Sequence, residues 1–243
     1  MSSKILKIEQ LPDSEARIDA EISADVLAHA RTHAIKHLNK SFSVPGFRKG
    51  ALPESMLVSQ LGEGQILTEA ASIALDKELR TIIAESKLRS ITRPSISITK
   101  LEPGSPLLFS ATLVLEPIFT LPDYKKIVTE LPLAEEASKE ATEKRRVQIV
   151  DALVAATEIT LPNKFVNEEV NHVLSHFKHD LSHAGITWED YLKKVEKTEE
   201  EVKETWREHV ISRGKMEFIL SKIAEQENFK TYPEVIAFLE KLS

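Results

Sequence analysis

The chain contains no cysteine. That excludes a disulfide scaffold, a thiol nucleophile and any Cys-ligated zinc or iron–sulfur centre. Glycine is scarce, with seven residues in 243, under half the usual share of about 7%. Long helices fit that scarcity better than a loop-rich β fold. No apolar run approaches the roughly 18–20 residues of a membrane span. Residues Met1–Leu11 alternate charged and apolar side chains and lack the apolar stretch of a signal peptide. A soluble, cytoplasmic protein with no membrane partner is expected. A phosphate-binding loop of the G-x-x-x-x-G-K-[ST] type is missing, as is any nucleophile elbow. Gly62-Glu63-Gly64 begins a dinucleotide-type pattern, but Leu67 stands where its third glycine belongs. Neither an enzyme nor a cofactor is expected.

What is present is 42% apolar and 29% charged, enough for one large core or two ordinary ones. The charge is sided. Residues 1–118 carry 14 basic and 14 acidic side chains, so the whole net charge of −6 lies on residues 119–243. Within the neutral half, Val26–Pro53 holds Arg31, Lys36, Lys40, Arg48 and Lys49 and no acid. Ser86–Lys100 holds Lys87, Arg89, Arg93 and Lys100, again with none. Such windows can steer anionic partners, or can be ordinary solvated surface.

Periodicity divides the chain in two. Lys4–Gln10 and Ala16–Ile22 alternate as half-buried strands around a Pro12-Asp13 turn. Ser23 is placed to cap a helix over Asp25–Asn39. Short and long helices follow over Glu54–Leu61 and Gln65–Leu88, then strands over Ile91–Leu101 and Pro106–Leu115. The pattern predicts an α+β domain with an antiparallel sheet over residues 1–116. Pro117, Pro122 and Pro132 punctuate a segment without period, so 117–133 reads as a linker. Residues 134–243 read as an all-α domain. Its helices cover Ala134–Thr157, Pro162–Ala184, Thr187–Val195 and a stretch from Thr198 to about Asn228, with a last helix near Pro233. Thr198 with Glu201 forms a capping box.

The loop after the first helix reads Val44-Pro45-Gly46-Phe47-Arg48-Lys49-Gly50-Ala51-Leu52-Pro53. Two glycines permit a tight excursion and two prolines stiffen its base. An aromatic side chain and two cations occupy its tip. Phe47 can enter an apolar crevice, Arg48 can bind carboxylate or phosphate bidentately, and Lys49 adds a point charge. A helix–helix connection with Phe47 tucked into the core would use the same residues.

This loop resembles the ribosome-binding signature of trigger factor, an ATP-independent chaperone family of the bacterial exit tunnel. The family pattern Gly-Phe-Arg-Lys-Gly-x-x-Pro is matched at Gly46, Phe47, Arg48, Lys49, Gly50 and Pro53. Leu153–Pro162 with Val166–Val170, and Ile219–Glu227, are similar to the family's C-terminal chaperone domain and come in its order. The resemblance implies docking through this loop on a large-subunit protein and ribosomal RNA. It implies shielding of unfolded or nascent polypeptides by the helical domain, and leaves open a homodimer off the ribosome. Two departures stand out. Pro132 is followed almost at once by helix, which leaves no room for the family's FKBP-like domain, so prolyl isomerase activity is not expected. The sequence stops soon after Leu239, where the family continues, so a shortened substrate cradle is expected.

His172, His176, His179 and His183 fall within roughly 60° of one another on one predicted helix. Such a row can chelate a metal, switch charge near pH 6.5, or simply be a solvated polar face. His29, His33 and His37 repeat the spacing on the first helix, where they enlarge a basic surface. Trp188, Tyr191 and Trp206 suit either client contact or core packing. Three functional readings therefore stand: a ribosome-docking chaperone, a ribosome-independent holdase of the same fold with Phe47 buried, and a metal- or pH-responsive protein.

Overall fold

The structure is a computed structural model that describes residues 2–44, 47–48, 50–132 and 139–242. The chain forms two compact units, Met1–Glu116 and Pro117–Ser243.

The first unit opens with a hairpin of strands β1 (Ser3–Leu11) and β2 (Glu15–Ile22). Its turn places Asp13 and Ser14 at φ of 61° and 54°, and the Glu15 N–H donates to the Pro12 carbonyl at 3.3 Å. Two positive φ values make this a primed turn, whose twist suits paired strands. Helices α1 (Ala24–Ser41), α2 (Glu54–Leu61) and α3 (Glu63–Ser86) follow, then strands β3 (Ser95–Lys100) and β4 (Leu107–Val114). The sheet is antiparallel with order β1-β2-β4-β3. Alternation along the two central strands sends Ile18, Ala20 and Ile22, and Leu107, Phe109, Ala111 and Leu113, into one core. Ala30 and Ala34 of α1 and Ala70, Ala71 and Ala74 of α3 close that core with small side chains. The third strand is shorter than Ile91–Leu101. Pro94 lacks a ladder donor, and Ser90 instead makes an isolated bridge to Leu115.

Ser23 caps α1 as expected, its hydroxyl accepting from the Val26 N–H. Gly62 serves two helices at once. At φ 79° it ends α2, donating to the Val58 carbonyl at 2.8 Å, and it precedes the first residue of α3. That left-handed angle suits glycine and sets the bend between the two helices.

The second unit is helical: α4 (Tyr124–Glu130), α5 (Lys139–Ala156), α6 (Asn163–His183), α7 (Trp188–Val195), α8 (Glu199–Glu227) and α9 (Tyr232–Lys241). Helix α4 corrects the linker reading of 117–133. Asp123 caps it, accepting from the Lys126 N–H at 3.1 Å. Phe119, Tyr124 and Val128 are buried in the second core, with Val235 and Leu239 of α9. Proline counting missed this because α4 spans only seven residues, too few to display a period. Its C-terminal end is tied by Arg145, a buried guanidinium that donates to the Val128 and Pro132 carbonyls at 3.2 and 2.7 Å. The Val128 carbonyl also accepts from the Leu131 N–H at 3.4 Å, so Arg145 adds a second donor there and supplies one to Pro132. The expected start of α5 at Ala134 lies outside the described residues.

Candidate functional site

The loop begins where α1 runs out. Asn39, in the last turn, supplies three hydrogen bonds to its returning limb. Its carbonyl accepts from the Gly50 N–H at 3.0 Å. Its side-chain amide donates to the Leu52 carbonyl at 2.7 Å, and its Oδ1 accepts from the Leu52 N–H at 3.2 Å. Leu52 is buried and Pro53 caps α2, its carbonyl accepting from the Met56 and Leu57 N–H groups. Gly50 turns the chain at φ 83°, an angle that any other side chain would strain. The base is therefore fixed by polar bonds and one apolar anchor.

The tip faces solvent. Phe47 is 40% exposed, so it is not part of the core. Arg48 is exposed beside it, and its carbonyl accepts from the Ala51 N–H at 3.0 Å. Gly46 and Lys49, which complete the sequence motif, lie outside the described residues, as does Pro45.

The acid-free window around this loop is less basic in space than in sequence. Arg31 donates bidentately to Glu63 at 2.7 and 3.0 Å and to Glu54 at 2.7 Å. The hydrogen bonds to Glu63 and Glu54 raise the Arg31 pKa, and Arg31 holds the Glu63 carboxyl below its ordinary value. One guanidinium thus fastens α1 to α2 and α3. His37 Nδ1 lies 2.8 Å from Glu69. Lys36, Lys40 and Arg48 remain exposed.

In the second unit, α6 and α8 cross at Gly214. A methyl group added there would meet Leu161 Cδ1 at 2.8 Å and Phe165 Cε1 at 3.3 Å. Beside this crossing lies a crevice of about 190 Å³, lined by Phe165, Val173, Trp206, Val210 and Gly214. Its exposed lining is chiefly apolar, though Glu169, His209, Arg213 and Glu217 also line it, a size and chemistry that suit a bulky aliphatic or aromatic side chain. Trp188, Tyr191 and Trp206 surround Phe177, with ring centroids at 6.3, 5.0 and 5.1 Å. They join α6, α7 and α8, and each is half-buried. Glu199 ties the same corner together. It accepts from the Trp188 indole at 2.9 Å and from Lys178 at 3.1 Å, and pairs with Lys203 at 2.8 Å. Lys203 first, then Trp188 and Lys178, pull its pKa down to about 2.

The four histidines of α6 are exposed and arranged as two pairs. His172 and His176 bring their Nε2 atoms to 3.1 Å, and His179 and His183 to 3.2 Å. No group of three or more potential metal ligands occurs among the described residues. No helix among them is long and apolar enough to cross a membrane.

These features define an α+β unit that holds a clamped surface loop, followed by an all-helical unit with an apolar crevice. The family model for bacterial trigger factor protein (TF) matches residues 4–149, and that for its C-terminus matches residues 120–242. The chain belongs to the trigger factor family. The two matches overlap, so they run through the chain without an interval between them. The trigger factor of Rhodococcus opacus is 32% identical over 143 residues, 58% of this chain and 30% of that protein. That of Streptomyces avermitilis is 30% identical over 152 residues, 63% of this chain and 33% of that one. The chain thus aligns with about a third of the length of these curated relatives. A solved structure, from work on promiscuous substrate recognition in folding and assembly activities of the trigger factor chaperone, matches with a TM-score of 0.62. The match covers 95% of this chain and 86% of that one at 15% identity, a likeness of fold.

Proposed function

We propose that this chain is an ATP-independent chaperone that docks on the large ribosomal subunit through the Gly46–Pro53 loop and shields nascent chains. The observation that carries the reading is the exposed Phe47-Arg48 tip on a base held by Asn39 and Leu52. A fixed base lowers the ordering cost of docking, and aromatic and arginine side chains are enriched at interfaces. In this reading Phe47 fills an apolar crevice of a ribosomal protein. Arg48 and Lys49 contact carboxylate or RNA phosphate. The exposure of Phe47 favours docking over the ribosome-independent holdase, which would keep this ring in the core.

Residues 1–116 then serve as the ribosome-binding domain and 117–243, with α4 packed into its core, as the chaperone domain. No prolyl isomerase domain stands between them in this reading, and no isomerase catalysis belongs to it. Clients are unfolded or nascent polypeptides, met in the cytoplasm, and self-association off the ribosome belongs to the same reading. The test is co-sedimentation with bacterial ribosomes at moderate salt. The Phe47→Ala/Arg48→Ala/Lys49→Ala variant should keep its circular dichroism and bind roughly thirtyfold more weakly or worse, the loss of at least one hot spot. Equal pelleting of variant and wild type would refute the docking role, and so would a wild type that stays in the supernatant.

A further inference from the structure

The histidines of α6 are not used by the docking loop or by the helical core. Val170, Leu174 and Leu181 take the buried face of the helix, while His172, His176, His179 and His183 point to solvent. Each i, i+4 pair has its rings edge-to-face, with centroids at 4.5 and 4.4 Å. In each the Nε2 atoms are the facing atoms, at 3.1 and 3.2 Å. An imidazole nitrogen sits about 2.0–2.1 Å from a bound zinc, so this separation subtends an N–metal–N angle of about 100°. That lies between the right angle of octahedral or square-planar coordination and the tetrahedral angle. The helix backbone holds both rings of a pair one above the other, so a metal meets a bidentate ligand with little ordering left to do.

We propose that α6 carries two bidentate sites for a divalent first-row transition ion, His172 with His176 and His179 with His183. The two sites are seven residues apart along the helix, about 10 Å, so both can be filled together. Imidazole suits nickel, copper and zinc, and water completes each coordination sphere because both sites open to solvent. Neutral imidazole must present Nε2 without its proton. Each ring therefore binds as the Nδ1–H tautomer, and the ion takes the place of the hydrogen bond now shared by the pair. Asp180 Oδ1 lies 3.9 Å from His179 Nδ1, too far for a hydrogen bond, and places a negative charge beside the second pair. Lys178, the nearest cation on this helix, is turned to Glu199 and the Trp188 ring.

The histidines of α1 do not offer the same geometry. His37 is engaged by Glu69, and His29 and His33 show no ring contact with one another among the described residues.

The experiment is a calorimetric titration of the untagged chain with nickel ion. The wild type should bind two ions. The His176→Ala variant should bind one. His176→Ala/His179→Ala leaves only the outer two histidines, eleven residues and about 16 Å apart, and should bind none. All substituted positions are exposed, and far-ultraviolet circular dichroism should be unchanged. No binding by the wild type would overturn the proposal, as would a double variant that keeps the wild-type stoichiometry.

Discussion

Glu199 shows how much one side chain can organise. Its carboxylate gathers Lys178 of α6, Trp188 of α7 and Lys203 of its own helix. Because its pKa is pulled down to about 2 from an ordinary 4.5, the unfolded chain takes up a proton at this site more readily than the folded one. Its contribution is complete above the ordinary value and is lost as pH falls from about 4.5 through about 2. Glu199→Gln should destabilise the chain by about 1 kcal/mol at pH 7, the scale of a partly solvated ion pair with a charged hydrogen bond. The difference in urea midpoint, read by tryptophan fluorescence, should shrink between pH 4.5 and 3. A difference that ignores pH would contradict this account. The sequence displayed Glu199 only as one acid in a charged run. Arg31 and Asn39 were equally opaque. Arg31 lies in a window without acids, yet its partners come from 23 and 32 residues further on. Window counts look along the chain, whereas these charges meet across helices. An asparagine in a last helical turn looks like any other until the loop returns to it.

At the scale of elements, the crossing of α6 and α8 depends on a residue with no side chain. Glycine inside a helix costs about 1 kcal/mol relative to alanine. Gly214→Ala recovers that, but its methyl presses on the movable Leu161 Cδ1, and the two effects should nearly cancel. Gly214→Val adds bulk that Phe165 blocks as well, and should cost about 1–3 kcal/mol by overpacking. Urea unfolding of both variants checks the contrast, and a valine variant as stable as wild type would refute it. The long elements here were readable because periodicity had room to show. The alternation of β2 and β4, the Ser23 cap and the Thr198–Glu201 capping box all stand in the sequence. Helix α4 was not read, because beyond the Asp123 cap it rests on burial against α9 and the carbonyl bonds of Arg145. Those are tertiary facts with no local signature.

At the scale of the molecule, each unit has its own buried cluster. A fragment ending at Glu116 should therefore fold alone. It should unfold in one cooperative thermal transition and, on the proposed reading, still pellet with ribosomes. Circular dichroism melting of that fragment checks the first point, and a featureless melt would contradict it. The loop motif was legible as residues, but its exposure was not. Composition left Phe47 free to be a core ring or an exposed one, and the choice rests on Asn39 and Leu52 fixing the base.

The burial of α4 against α9 bears on the order in which the chain can fold as it is made. Synthesis runs from the N-terminus, and the first unit has all its strands once Val114 has emerged. The second unit begins with Phe119 and Tyr124, whose covers include Glu227, Val235 and Leu239. More than a hundred residues separate the Tyr124 hydroxyl from the carboxylate that receives its hydrogen bond. While they are being added, the apolar faces of α4, α5 and α6 lack the cover that α8 and α9 later supply. A half-made copy of this protein thus displays for a time the kind of uncovered surface that its finished copies are proposed to shield.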